Sequence, residues 1–265
     1  MQRIAVVGMV SLAGLLLCSC ESVPGPEGPA FSRKEIANFP PAYEDDFEQA
    51  KGLGPWKPLD AGSWKVHSAG GNKFLSLHKA GKYKPPVPSP RHLAFLSDHY
   101  FKSFVMDLRV QSTSPPSDHR SVVVAFGYQE PAQYYYVELG PKAEPDAHSI
   151  FVVDGRPSVS IAEKRHPGVQ WDDKWHHVRI VRIAEDGRIE VYFDDMDTPI
   201  MTATDQRLEI GLIGLGSFED LGNFDDIKIR GFAYTKKDVQ RPLPGATQPA
   251  TQPATAPARA GDPRR

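Results

Sequence analysis

Apolar residues recur at every second position through the middle of this chain, and that period admits strands and little else. Phe104, Met106, Leu108 and Val110 alternate with Ser103, Val105, Asp107, Arg109 and Gln111. Ile189, Val191 and Phe193 alternate with Arg188, Glu190, Tyr192 and Asp194. Successive side chains of a strand point to opposite faces, so this pattern marks strands with one buried face. Residues 121–126 are more continuously apolar, as a central strand would be, and 133–139 are aromatic and β-prone. Residues 149–153 run into Asp154-Gly155, and 177–183 into Glu185-Asp186-Gly187, both turn signals. Residues 208–216 and 224–229 complete the set, and no long amphipathic helix is legible. Short strands separated by Gly, Pro and Asp predict an all-β chain, a two-sheet antiparallel jelly-roll sandwich.

The flanks differ in kind. Arg3 precedes an apolar run from Ile4 to Leu17 that stops at Glu21. The run is about 14 residues, short of the ~20 that cross a bilayer, so it reads as a secretory signal peptide. Leu17-Cys18-Ser19-Cys20 resembles the bacterial lipobox. That resemblance implies a signal peptide over 1–19, lipidation at Cys20 and a mature protein held to a membrane of the cell envelope by acyl chains. The alternative is ordinary secretion with cleavage near Ser19. Glu21 is not the aspartate that holds some lipoproteins at the inner membrane, which points to the outer membrane or the cell surface. Prolines and glycines over 20–42 predict a tether, with one helical turn near 32–38. The sandwich is expected over 43–234. Residues 244–257 repeat Pro, Ala, Thr and Gln, too little apolar bulk to repay ordering, so 235–265 is expected to be a disordered tail.

Composition closes other routes. Both cysteines lie in the leader, so the body has no disulfide and must stand on its hydrophobic core. About 190 residues are enough for one such core. A net charge of −2 offers no bulk attraction to nucleic acid. No zinc-type Cys/His spacing, phosphate-binding loop or dinucleotide fingerprint occurs. The expectation is a monomer.

The order of the strands resembles a concanavalin A-like (laminin G-like) domain. Asp45-Asp46-Phe47, Trp64-Lys65-Val66 and Leu75-Ser76-Leu77 look like its opening strands. Lys174-Trp175-His176-His177-Val178, followed by residues 186–195, resembles the laminin G signature. Residues 211–216 with Asn223-Phe224-Asp225-Asp226-Ile227 resemble its closing strands. The layout is also similar to the 3-keto-disaccharide hydrolase domain family. The resemblance implies a module that binds a polysaccharide or other glycan. It leaves open a glycoside hydrolase or lyase acting on a modified sugar, and an adhesion module with protein partners. The Glu-x-Asp-x-x-Glu triplet of the laminarinase-like enzymes is missing, which argues against the paired carboxylates of a retaining glycosidase.

Candidate residues follow from face and chemistry. Tyr134 and Tyr136 share one strand face, with Glu138 beyond them, while Tyr135, Val137 and Leu139 take the core. Tyrosine offers a flat apolar ring and a hydroxyl, which suits a sugar. Arg120, Tyr128, Gln129 and His148 lie at strand ends and would rim the same groove. No catalytic pair stands out, and Glu138 with His148 comes nearest to the acid and base that an enzyme would need. Asp45, Asp46, Asp225 and Asp226 fall on the first and last strands, which sandwiches bring together. The resemblance implies a structural calcium (Ca2+) there, and carboxylate oxygens suit that ion. His176 and His177 point to opposite faces and cannot share a metal. Lys79, Lys82, Lys84, Arg91 and His92 alternate with Pro85, Pro86, Pro88 and Pro90 in an extended loop, whose positive charge would suit an anionic polysaccharide. Residues 216–223 form a turn before the closing strand.

Overall fold

A computed structural model describes residues 30–240, with the leader, Cys20 and most of the tail outside that range. The elements in chain order are α1 (Arg33–Ala37), β1 (Pro41–Asp45), β2 (Trp56–Pro58), β3 (Trp64–Ala69), β4 (Asn72–Leu77), β5 (His92–Ser112) and β6 (Val122–Glu130). They continue with β7 (Gln133–Leu139), β8 (Ile150–Asp154), β9 (Val159–Ser160), β10 (Lys164–Arg165), β11 (His176–Ile183) and β12 (Arg188–Phe193). β13 (Met201–Thr204), β14 (Gly211–Ser217), β15 (Gly222–Tyr234) and α2 (Lys236–Gln240) close the chain. Among the described residues no helix is long and apolar enough to cross a membrane.

Two antiparallel layers share the long strand β5. Residues 104–110 of β5 lie between β11 and β15, in a sheet that continues through β12, β13 and β10 on one side. On the other side β1 and β4 pair with β15, and β3 pairs with β4. The first and last strands do meet, with Asp45 opposite Ile227. Residues 92–101 of β5 instead pair with β14, and 94–96 with β2, in a second sheet that runs on through β6, β7, β8 and β9. The passage between layers falls at Ser97-Asp98-His99, where Asp98 takes φ 60°. Apolar residues give way to polar ones there, so the strand bends where burial relaxes.

The alternation places the core as expected. Phe104, Met106, Leu108 and Val110 meet Tyr135, Val137 and Leu139 between the layers, together with Ile189 and Val191. Phe224 stacks on Trp64 with ring centroids 5.9 Å apart, and Phe126 on Tyr135 at 5.4 Å. Arg182 is also buried here, its guanidinium 5.1 Å from the Tyr135 ring and donating to the carbonyls of Gly187, Asp205 and Leu208. A buried cation is tolerable because its hydrogens are matched in this way.

Both outer faces are covered as well. Residues 30–42 are folded, although the sequence pattern placed them in the tether. Ile36 and Phe39 pack on Val105, Val181, Ile183 and Tyr192, the outer face of the first sheet. Ser32 and Glu35 form a reciprocal capping box that starts α1. On the second sheet, Leu93, Phe95, Val123, Ala125, Tyr134, Tyr136, Phe151 and Val153 form a second core under Leu59, Val87 and Phe218. Gly216 is required where β14 crosses β5, because a Cβ there would lie 1.7 Å from the His92 carbonyl oxygen.

Phe224 is fully buried between the layers, whereas Val159 is 60% exposed. Phe224→Ala should therefore cost about 3–5 kcal/mol. Val159→Ala should stay within about 0.5 kcal/mol, both read from denaturant unfolding midpoints.

Candidate functional site

The groove expected over Tyr134 and Tyr136 is closed. Their side chains are 2% and 0% exposed, because the Pro-rich segment before β5 lies across them. Tyr134 packs on Tyr128, and Tyr136 stacks on Phe151 at 4.8 Å and donates its hydroxyl hydrogen to Ser158. Neither ring offers a free face to a sugar. Tyr128 is half-buried and lies 4.0 Å from Phe95, on the outer side of the sheet. Strict alternation would have turned it inward. A β-bulge at Gly127, φ 61°, changes the phase of the strand. Gln129 is exposed and donates to the Ile210 carbonyl.

Arg120 does not rim a groove either. It is buried, donating through Nε to Ser112 Oγ at 2.8 Å and through Nη2 to the Ser112 carbonyl and Asp173. It ties the end of β5 to the loop before β11. Glu138 and His148 are 6% and 0% exposed, and they do not act on one another. The charges that reach Glu138 are Asp146 and Asp220, whereas those that reach His148 are His166 and Arg165. His148 Nδ1 accepts from Gly140 N–H at 3.2 Å, and its Nε2 and Glu138 Oε2 are buried without partners. Both side chains are therefore enclosed within the packed body rather than open to a ligand.

The four aspartates are likewise spent on the fold. Asp45 accepts from Tyr43 Oη and Phe47 N–H, and Asp46 from Glu48 N–H. Asp225 accepts from Asn72 Nδ2 at 2.7 Å, and Asp226 lies 3.6 Å from Arg109. Among the described residues no group of three or more acidic, histidine or cysteine side chains could hold a metal, while Asp45, Asp46 and Asp226 line one shallow concavity beside the first and last strands. His176 and His177 do diverge. His176 bridges Asp194 and Asp172 at 2.8 and 3.1 Å, and His177 meets Asp107 at 3.0 Å. Trp175 packs edge-on against Phe74.

What the second sheet does offer lies above that buried layer. Residues 80–92 and the turn after β14 enclose a cleft of about 970 Å³. Tyr83 and Phe218 line it, both half-buried, with Pro85 and Pro86 beside them. Lys82, Lys84, Arg91 and Glu219 are exposed at its rim. Burial alternates along the extended loop, so Tyr83, Pro85 and Val87 turn inward while Lys82, Lys84 and Pro86 turn out.

The cleft is held in shape by polar contacts at both ends. Lys82 N–H donates to Asp60 Oδ2 at 2.7 Å, and Gly81 N–H to His92 Nδ1 at 3.3 Å. Burial, then the nearby Arg91, lowers the pKa of His92, which suits a ring that accepts at Nδ1. Arg91 pairs with Glu219 at 2.5 Å and joins the loop to the turn. The sequence pattern had marked the cations of this loop and the turn separately. It gave no sign that Tyr83 and Phe218 line one cleft, because that depends on strands far apart in the chain.

No family model matches the chain, and no curated protein matches it in sequence. Solved structures do. A carbohydrate-binding module, CBM66, from Bacillus subtilis shares 16% identity over 67% of this chain and 96% of its own, with TM-score 0.50. The fold is a concanavalin A-like jelly roll. A Bacillus subtilis protein of unknown function with a galectin-like fold is 10% identical over 74% of this chain and 98% of its own, TM-score 0.51. A variant of the GH43 protein BlXynB from Bacillus licheniformis is 13% identical over 71% of this chain, TM-score 0.51, and the match spans 39% of that longer chain. Identities this low establish architecture alone.

Glu138 and His148 titrate in opposite senses. Burial raises the Glu138 carboxyl from 4.5 to about 7. The folded chain therefore holds an extra proton between those values, and stability falls as pH rises through them. Burial lowers His148 from 6.5 to about 4, so its contribution is lost as pH falls through that window. The two slopes oppose one another over most of the acid range. Glu138→Gln should leave a Tm that climbs from pH 4 to 6.5 and then levels, without the wild-type decline toward pH 7. A variant with the wild-type pH profile of Tm would refute this account of the buried carboxyl.

Proposed function

We propose that this chain is a glycan-binding module of the cell envelope, anchored through acylated Cys20. The observation that carries the reading is the pairing of Tyr83 and Phe218 with exposed cations in one cleft. Aromatic faces take up the apolar face of a sugar ring, and charged or hydroxyl groups at the edge take its substituents. The carbohydrate-binding module among the structural neighbours supports this reading at the level of architecture. Recognition is by a standing surface, because the Arg91–Glu219 pair and the Asp60 contact already fix the loop. The adhesion reading has no comparable surface to support it.

A second reading is hydrolysis or elimination on a modified sugar, as in the 3-keto-disaccharide hydrolase family. One observation favours it: Glu138 is held protonated to about pH 7, in the range where a general acid works. It also requires substrate to reach a buried carboxyl. Release of product from a 3-keto-glycoside, abolished by Glu138→Gln, would establish this reading in place of binding alone.

On a glycan array the purified protein should retain at least one polysaccharide. Tyr83→Ala and Phe218→Ala should each weaken that binding about tenfold, near 1.4 kcal/mol, while Tyr134→Phe leaves it unchanged. Wild-type affinity in both alanine variants would overturn the assignment of the cleft. The anchor is read separately. Labelled palmitate should enter the wild-type protein and not Cys20→Ala, and equal labelling of the two would remove the anchor.

A further inference from the structure

Charge around the cleft is unbalanced. Lys79, Lys82, Lys84 and Arg91 stand on the loop, against Asp60 and Glu219. Four cations less two carboxylates leave two positive charges, since burial keeps His92 from adding a third. Both carboxylates are also engaged. Glu219 pairs with Arg91, and Asp60 accepts from the N–H groups of Gly62 and Lys82. Lys82 and Lys84 make no ion pair among the described residues, and their side chains are exposed. They are two apart in an extended segment and so rise on one side, about 6–7 Å apart along the chain.

We infer that the ligand of this cleft is an acidic glycan, one carrying carboxylate or sulfate groups along its chain. The inference rests on the glycan reading above and adds the class of sugar. The ring of one residue packs on Tyr83 and Phe218. Its acidic substituent, and that of the next residue, lie over Lys82 and Lys84. The chain as a whole carries a net charge of −2, so bulk attraction does not explain affinity for a polyanion. A local cationic rim does, and it makes the interaction dependent on salt. The contacts that fix the loop use neither lysine side chain, since Lys82 is tied to Asp60 through its N–H and Arg91 pairs with Glu219, so substitution of either lysine leaves them intact.

The test uses the purified full-length protein and three probes: polygalacturonate, dextran sulfate and neutral dextran. Polygalacturonate or dextran sulfate should bind at least tenfold more tightly than dextran, and the advantage should shrink between 50 and 500 mM salt, as a rough working range. The double variant Lys82→Ala/Lys84→Ala should lose that advantage while its circular dichroism stays that of the wild type. Lys82→Arg/Lys84→Arg should keep it. Binding of dextran equal to that of both polyanions, or a double alanine variant with undiminished preference, would overturn the acidic assignment. In that event Tyr83-dependent dextran binding would leave the glycan reading standing. Failure of all three probes would overturn the acidic assignment, and an empty glycan array besides would remove the glycan reading as well.

Discussion

The structure depends on one strand that belongs to both layers. β5 runs for 21 residues, and its two halves pair in different sheets. A sandwich held by side-chain packing alone can slide, because apolar contacts have no direction. Here the backbone hydrogen bonds of one layer continue into the other through residues 92–112. The bend at Asp98 costs apolar contact, and the flanking residues Ala94, Leu96, Phe101 and Phe104 recover it inside the core. Register is then fixed on both sides at once, since a slip of one residue would turn every core side chain outward.

This shared strand also explains where the cleft forms. The segment that enters β5 must cross the outer face of the second sheet to reach its starting point at His92. On the way it buries Tyr134 and Tyr136 beneath Val87 and its neighbours. A sheet face that would be an open groove thus becomes a second, smaller core. The cleft is displaced outward by one layer, onto the covering loop itself. Val87 turns down and Lys82 and Lys84 turn up, so one extended segment closes the face and carries the charge.

The strands were legible because their signal is local. Alternation in residues 103–111 and 188–194 needs no knowledge of the rest of the chain, and the two faces of residues 133–139 were assigned correctly. The N-terminal half of β5 was not legible, because Ser97-Asp98-His99 reads as a turn when only neighbours are considered. The burial of several candidate residues was not legible for a related reason. Arg120, Glu138 and His148 are polar residue types that stand out in a sequence as chemistry, yet each lies within the packed body. Burial of such groups is costly unless they are matched. Arg120 is matched by Ser112 and Asp173, while Glu138 and His148 shed their charge instead. Tyr83 passed unremarked and Phe218 was read only as part of a turn, because a lone aromatic between lysines, or in a turn, carries no periodic signal.

Topology finally separates the two ends of the proposed function. The chain enters across the outer face of the first sheet, where Ala30 N–H is bound by Asp186 and the Phe31 carbonyl accepts from Arg188. The cleft lies above the outer face of the second sheet, on the far side of the sandwich. Nine residues lie between Cys20 and Ala30, so the ten steps between them reach at most about 36 Å. An anchor at Cys20 would therefore hold the first sheet nearer the lipid. The packing of Ile36 and Phe39 against Val105, Val181 and Ile183 is what holds the chain's entry on the first sheet, so a short apolar contact keeps that entry apart from the cleft.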